Sequence, residues 1–403
     1  MTTYNFDKIT NRKGTNCLKY DFAVERGKPA DVLPLWVADM DFPVSEEISK
    51  SLHAAVEHGI YGYTQPKDAY YNAVMNWMER NHNWKTEREW IVKTPGVVFA
   101  LGAAVKAFTD PGDAILIQNP VYYPFTNIIR DNDRRVIDNT LIYKKTTGQG
   151  GENGYRIDFE DFERKLEQEH IKLFILCNPH NPVGRVWTVE ELQKLGEICL
   201  RHHVIVVSDE IHNDFVYPGY EHTVFANVDP RFAEFTLTCT APSKTFNLAG
   251  LQISNIFIPN ENLRKAFKTE IDRTGYDEPN ALGVVACEAA YRAGEDWLDQ
   301  LKAYLLKNLN FLRDFLQEKL PQIHLVEPEG TYLVWLDCSE LGITGKELDQ
   351  FIVDKAGLWL DGGSMFGPDG AAFQRVNIAC PQATLELALN KLKAAVEGHG
   401  THL

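Results

Sequence analysis

FTLTCTAPSKTFNLAG, residues 235–250, is an apolar run that stops at a rigid Ala-Pro step and then presents one lysine, Lys244, among turn-forming residues. Other runs end in a similar way. LFILCNP (173–179) opens into NPHNPVG (178–184), VIVVSDEI (204–211) carries Asp209 near its end with His212 just beyond, and AILIQNP (114–120) closes on a proline. Near-continuous apolar runs of this length fit strands covered on both faces, so they predict a sheet buried between two layers. ISNIFIP (253–259) reads as a further strand.

Helical patterns fall between these runs. Thr188 and Glu191 have capping-box spacing at the head of TVEELQKLGEICLRH (188–202), and VVFALGAAVKAF (97–108) reads as a helix entered through Pro95 and Gly96. The alternation predicts an α/β fold, a three-layer αβα domain with a mostly parallel sheet. Further on, TYLVWLDC (331–338) precedes TGKELDQFIVDKAG (344–357), where Thr344 repeats the capping pattern, and this part reads as a smaller α+β domain. The expected division is an N-terminal segment 1–50 contributing to the small domain, a large domain 51–289, and a C-terminal small domain 290–403 reached through a long helical region that starts near Asn280.

With 403 residues, the chain is long enough for one large core and a smaller second one. Its formal charge of -15 disfavours nonspecific binding to nucleic acid or an anionic membrane, though a local positive pocket can still hold an anion. The opening MTTYNFDKITNRKG lacks the apolar stretch of a secretory signal, and no later run approaches the ~18 residues of a membrane span, so a cytoplasmic protein is expected. The seven cysteines show no zinc-like spacing and several sit in apolar runs, which predicts reduced core thiols and no metal.

The strand ends carry the chemistry. If the strands are parallel neighbours, Asn181, Asp209, His212 and Lys244 converge at one edge of the sheet. A lysine that loses hydration there has a lowered pKa and a more nucleophilic amine; a surface lysine just past a strand is the plain alternative. Asp209 closes a buried strand, where a carboxylate is costly unless a cation or several donors meet it. A helix cap or ion pair satisfies that need, and so does a protonated pyridine nitrogen, which together with a Schiff-base lysine is the pairing that pyridoxal phosphate sites use. His212 can orient Asp209 or a ring oxygen, or be an ordinary hydrogen-bonded histidine. The prolines of NPHNPVG fix a turn from which the Asn181 amide can project. Gly96 bends the chain ahead of helix-opening amides at Val97 and Val98, which can receive a phosphate. Tyr122, in NPVYYPF, can stack on a flat ring or fill a core. Arg375, in FQRVNIAC, alternates with apolar residues, as a solvated arginine on an edge strand would.

In its ordered motifs the chain resembles the fold-type I pyridoxal phosphate enzymes of the class I/II aminotransferase superfamily, and within them the MalY/PatB-type carbon–sulfur β-lyases, or cystathionine β-lyases. The resemblance runs nearly end to end through LPLWVADMDFP (33–43), HGIYGYTQP (58–66), TPGVVFALGAAVKAFTDPGD (94–113), LFILCNPHNPVGRVW (173–187), VVSDEIHNDFVY (206–217), APSKTFNLAGLQIS (241–254) and FQRVNIACP (373–381). It implies that Lys244 carries the cofactor as a Schiff base and acts as the base. Asp209 pairs with the pyridine nitrogen, Asn181 and His212 surround the ring oxygen, and Tyr122 stacks on the ring. Val97, Val98 and Ser243 hold phosphate, joined by Tyr61 from the other subunit of a homodimer with shared sites. Arg375 binds the substrate α-carboxylate, with Ala38 lending a backbone contact and Tyr122 and Asn181 beside it. Many members of the wider superfamily place an arginine eight residues after the lysine to bind phosphate; this chain has Gln252 there. The implied reaction is β-elimination on L-cystathionine and related L-cysteine S-conjugates to a thiol, pyruvate and ammonia, with transamination as the competing outcome. Lys244 and Tyr61 are both candidates to protonate the leaving sulfur. A regulatory protein partner is compatible with the resemblance, and no sequence feature marks its surface.

Overall fold

Each apolar run becomes a strand of one seven-stranded sheet. The computed structural model describes residues 2–145 and 153–400. Its main sheet is built from β1 (Ile91–Thr94), β2 (Ala114–Ile117), β3 (Arg135–Asp138), β4 (Ile171–Cys177), β5 (Ile205–Asp209), β6 (Thr236–Thr240) and β7 (Ser254–Phe257), in the order β1-β7-β6-β5-β4-β2-β3. Neighbours from β6 through to β3 pair in parallel. β7 runs antiparallel to both β6 and β1.

The sequence explains the burial. Along β4, Leu173, Ile175 and Cys177 face the layer that contains Ala100, Leu101 and Ala104 of helix Val97–Phe108, while Phe174 and Leu176 face the layer of Leu192 and Leu195 from helix Val189–Arg201. Alternate residues of a strand point to opposite faces, so a strand covered twice must be apolar throughout. Each such side chain contributes roughly 1.5–3 kcal/mol by leaving water. The edge strand β3 (RVID) and the edge strand β1 (IVKT) are short and interrupted by charge or polarity, and neither stands out in the sequence.

The Thr188 capping box forms as expected: Glu191 N–H donates to Thr188 Oγ1 at 3.2 Å and Thr188 N–H to Glu191 Oε2 at 2.9 Å. The same pattern at Thr344 does not. Helix Gly345–Asp354 begins there without a side-chain cap, because left-handed Gly345 (φ +56) bends the entry and sends its N–H to the Ala371 carbonyl at 2.7 Å.

A second, antiparallel sheet holds β8 (His324–Val326), β9 (Leu333–Asp337), β10 (Asp361–Gly362) and β11 (Phe373–Asn377) in the order β8-β9-β11-β10. β11, which carries Arg375, is an interior strand and wholly buried, so the solvated edge reading of that arginine fails. Leu33–Pro34 pairs in parallel with Leu358–Trp359, and Trp36 stacks on Trp359 at 4.4 Å between ring centres. The helical region capped by the Asn280 side chain is two helices, Ala281–Ala293 and Glu295–Lys319, divided at Gly294. A Cβ at Gly294 would stand 2.4 Å from the Phe246 ring, so a bare backbone is what lets the helix junction close over the segment after Lys244. Among the described residues, no helix is long and apolar enough to cross a membrane. All seven cysteines are free thiols, six of them buried.

Candidate active site

Parallel pairing sets the strand ends side by side. Cys177 of β4 lies opposite Asp209 of β5, and Asp209 opposite Cys239 of β6, so the three segments that follow leave the sheet at one edge. β6 passes through extended Ala241 into the one-turn helix Pro242–Thr245, which presents Lys244. The lysine is half-buried, and its amine donates to the Ala38 carbonyl at 2.8 Å. Tyr332 donates its hydroxyl to the same carbonyl at 3.1 Å. Burial pushes the amine down to about 8; Arg375 acts in the same sense, while Asp39 and Asp209 oppose it.

Asp209 is buried and receives the Ile211 N–H on Oδ1 at 3.2 Å. Burial raises its carboxyl to about 7 against the pull of that donor and of the Lys244 charge. His212 is held neutral, chiefly by burial and then by Lys244 and Arg375, and its Nδ1 meets no partner. Asn181 sits in a segment whose two Asn–Pro bonds are both cis, with its N–H directed to Cys177 Sγ at 3.4 Å. Its Oδ1 accepts Arg375 Nη1 at 2.9 Å.

Ala38, Val97, Val98, Tyr122 and Asn181 line one cavity of about 180 Å³, together with Asp209, His212, Ser243 and Lys244. Arg375 reaches this group through Asn181. Tyr61 does not: it is exposed, donates to the Val56 carbonyl at 3.3 Å, and within its own chain is absent from the cavity wall.

The cavity suits a flat, anionic heteroaromatic group. Helix Val97–Phe108, whose first residues line the cavity, starts after Gly96 with no side chain capping its first amides, which leaves those donors for an anion. The same wall carries the desolvated Asp209 carboxyl, which a cationic partner would stabilise, and His212 with an unpartnered nitrogen. A model of the aminotransferase class I and II family matches residues 30–392. The chain belongs to that family. Cystathionine beta-lyase PatB of Bacillus subtilis (strain 168) is 46% identical over 392 residues, covering 97% of this chain and 100% of the relative. Among solved structures, cystalysin from Treponema denticola, described as containing pyridoxal 5′-phosphate, superposes with a TM-score of 0.94 at 38% identity, covering 98% of this chain and 100% of that one. The pyridoxal-phosphate-bound C-S lyase of Staphylococcus hominis gives a TM-score of 0.90 at 36% identity, with 98% of each chain covered. The lyase-type resemblance and the aminotransferase-type fold both hold.

Within this family's frame, the Gln252 departure has a visible consequence. Gln252 lines the cavity in a left-handed conformation (φ +50), and among the described lining residues Lys244 is the single formal cation. Two residues of the site escaped the sequence reading. Asp361 accepts a hydrogen bond from Arg375 Nη2, which also donates to the Trp36 carbonyl at 3.0 Å; Arg375 Nε is left without a partner. Tyr332 fixes the Ala38 carbonyl. Asp361 lies in WLDGG, an acid after an apolar pair, the same kind of signal that singled out Asp209. Tyr332 had no signal beyond its place in the apolar stretch TYLVWLDC, just ahead of β9.

Proposed function

We propose that the chain is a pyridoxal 5′-phosphate-dependent carbon–sulfur β-lyase acting on L-cystathionine and related L-cysteine S-conjugates. The observation that carries the reading is the confinement of Lys244, Asp209 and Asn181 to one cavity with an uncapped helix start, in a chain of this family. When bound, the cofactor supplies an electron sink for the charge left at the substrate Cα.

The side chains divide the remaining work. Lys244 would hold the cofactor and, with its amine free, would take the α-proton. With a pKa of about 8, on the order of one amine in ten is neutral at pH 7, against roughly one in three thousand for an ordinary lysine. Asp209, ionised, would accept the pyridinium N–H, Asn181 and His212 would meet the ring oxygen, Tyr122 would cover the ring, and the amides of Val97 and Val98 with Ser243 would receive phosphate. Arg375 holds the α-carboxylate through a fork whose Nε is free, and the Ala38 backbone borders the same position. The Cα–H electron pair forms the new Cα–Cβ double bond as the Cβ–S pair leaves with sulfur, which picks up a proton. The 2-aminoacrylate released takes up one water to give pyruvate and ammonia.

Tyr61 enters this scheme from the partner of a homodimer. Exposed Val56, Ile60, Tyr61 and Tyr63, with Val98 at the cavity wall, support an apolar surface that a second copy covers. We further propose a cytoplasmic location, and a small domain made of residues 1–50 and 290–403 beside a large domain of 51–289; the pairing of Leu33–Pro34 with Leu358–Trp359 supports that grouping. Product analysis with L-cystathionine tests the reaction. Homocysteine, pyruvate and ammonia in equal amounts are expected, and a 2-oxo acid that retains the sulfur would replace elimination with transamination.

A further inference from the structure

A second cavity, of about 540 Å³, lies away from the one just described, and His82, Asp214 and His222 are on its wall. With Glu210, which is not on the wall, these three buried side chains form a chain of four. His82 Nε2 meets Asp214 Oδ1 at 3.0 Å, His82 Nδ1 meets His222 Nδ1 at 3.3 Å, and His222 Nε2 stands 3.2 Å from Glu210 Oε2. The last contact has ion-pair distance only: neither buried atom meets hydrogen-bonding geometry with any partner. The far ends are tied down. Asp214 accepts the Trp77 N–H on Oδ1 at 3.0 Å and the Thr245 hydroxyl on Oδ2 at 2.5 Å, and Glu210 Oε1 accepts the Ser208 hydroxyl at 2.7 Å and the Phe225 N–H at 3.0 Å.

Counting protons along this chain leaves one unaccounted for. Three contacts join the four groups: the first two are hydrogen-bonded and each holds a proton between its heavy atoms, and the third sets His222 Nε2 against Glu210 Oε2 at ion-pair distance, which is favourable only with a proton on one of them. Two neutral imidazoles bring two. If both carboxylates were ionised and both rings neutral, one contact would set lone pair against lone pair inside the protein, where an unmet acceptor is costly. Wherever the proton rests, whether on His82, on His222 or on Glu210, the four groups then total one negative charge instead of two.

The chain ends on residues adjacent in sequence to Lys244 and Asp209. Thr245 follows Lys244, and Glu210 follows Asp209. We infer that His82 and His222 hold one extra proton between Asp214 and Glu210 and so act as positioning residues for the site, fixing the Lys244 turn through Thr245 and keeping a second full negative charge away from Asp209. The inference rests on the cofactor reading of Lys244 and Asp209 for its functional half only. Asp214 fits the scheme: burial pushes its carboxyl up, but the donors from His82, Thr245 and Trp77 outweigh that and hold it below the usual range. Burial also favours neutral His222. Charge on Glu210 is one of the causes that raise Asp209, and it would favour moving the proton of an Asp209–pyridinium pair onto the carboxylate. The other titratable groups facing the chain are Cys239 and Tyr291, both shifted up, first by burial, and Asp209 itself; Glu221, Asp299 and Lys302 stand around the 540 Å³ cavity, through which the proton exchanges with solvent.

Glu210→Gln tests this, because the amide brings its own N–H to His222 and removes the need for the extra proton. Wild-type and Glu210→Gln holoenzyme are unfolded chemically at intervals from about pH 7 to about pH 9. With one proton more in the native than in the unfolded wild type, its unfolding constant should rise about tenfold per pH unit relative to the variant; parallel curves overturn the proton count. The basic limb of kcat/KM for an L-cysteine S-conjugate should move to higher pH in the variant, and superimposed limbs overturn the positioning role. Should the variant fail to fold, wild type carrying ¹⁵N-histidine gives the answer directly. With ¹³C-glutamate added to the labelling, three protons shared among the four ring nitrogens and the Glu210 carboxyl through about pH 8 support the chain, and two protons only, or a ring titrating near its ordinary value of about 6.5, sink it. Failure of borohydride to fix a cofactor on Lys244 would remove the lyase reading and leave the unfolding result standing.

Discussion

Asp209→Asn should stabilise the cofactor-free protein while destroying the enzyme, and the size of the stabilisation follows from the burial of the carboxyl. Asp209 is 5% exposed, and its folded pKa stands at about 7 against an ordinary 3.8. A pKa raised on folding means that the native state binds the proton more tightly. The group therefore favours folding fully below the unfolded value and loses that contribution as pH climbs through the folded one. Each pH unit between the two values costs about 1.4 kcal/mol, so the loss amounts to about 1.6 kcal/mol at pH 5 and reaches about 4 kcal/mol by pH 8. Asparagine stands in for the protonated form with nearly the same shape, so it should recover the difference: Asp209→Asn gains about 2.5 kcal/mol more over wild type at pH 8 than at pH 5. Denaturant titrations of the cofactor-free proteins at the two pH values read this directly. With pyridoxal phosphate bound the advantage should disappear, because the wild-type carboxylate then has its cation and the amide does not. Turnover should fall by at least about a hundredfold in the variant, in the range for losing a catalytic electrostatic partner. Equal destabilisation by Asp209→Asn at both pH values would refute the argument, since the carboxyl would then be making a favourable native contact instead of waiting for a ligand.

Lys244→Ala should leave the fold intact, abolish turnover and eliminate the borohydride-stable cofactor adduct from the peptide containing position 244; near-normal elimination would remove the lysine from its role. Arg375→Ala should lower kcat/KM for α-carboxylate substrates by about 2 to 5 kcal/mol equivalent, the range for truncating one partner of a buried charge pair, with the loss mainly in KM. An unchanged specificity constant would mean that Asp361 and Asn181, not substrate, are the permanent partners of that guanidinium. Mixed dimers of a Tyr61 variant and a Lys244 variant should recover part of the activity that each homodimer lacks, and verified heterodimers without recovery would oppose a site shared between subunits.

What could be read from the sequence follows how local each signal is. A strand buried on both faces has to be apolar throughout, so β4, β5 and β6 announced themselves, and the polar residues that interrupt them stood out: Asn181, Asp209 and Lys244 meet in space because parallel pairing carries the chain off the same edge three times. The edge strands β1 and β3 lack that pressure, and their four-residue runs were not legible. Thr344 shows the opposite failure. Its capping pattern is present in the sequence but unused, since one left-handed glycine decides the entry geometry. Arg375 had two readings that differ only in whether β11 is interior or at an edge, which depends on pairing with β9 and β10 and cannot be seen from FQRVNIAC alone.

The layer behind the site was illegible for a stronger reason. His82, Glu210, Asp214 and His222 come from separate places in the chain, and each by itself is an ordinary polar residue next to apolar ones. Their meaning arises from three contact distances and a proton count, quantities that exist only after folding. The residues that touch a cofactor are constrained in type by its chemistry and can be picked out one at a time. Those that hold such residues in place are constrained only jointly, through the hydrogen bonds they must complete, and Thr245 beside Lys244 and Glu210 beside Asp209 show how close to a legible motif such a joint constraint can lie without altering a letter of it.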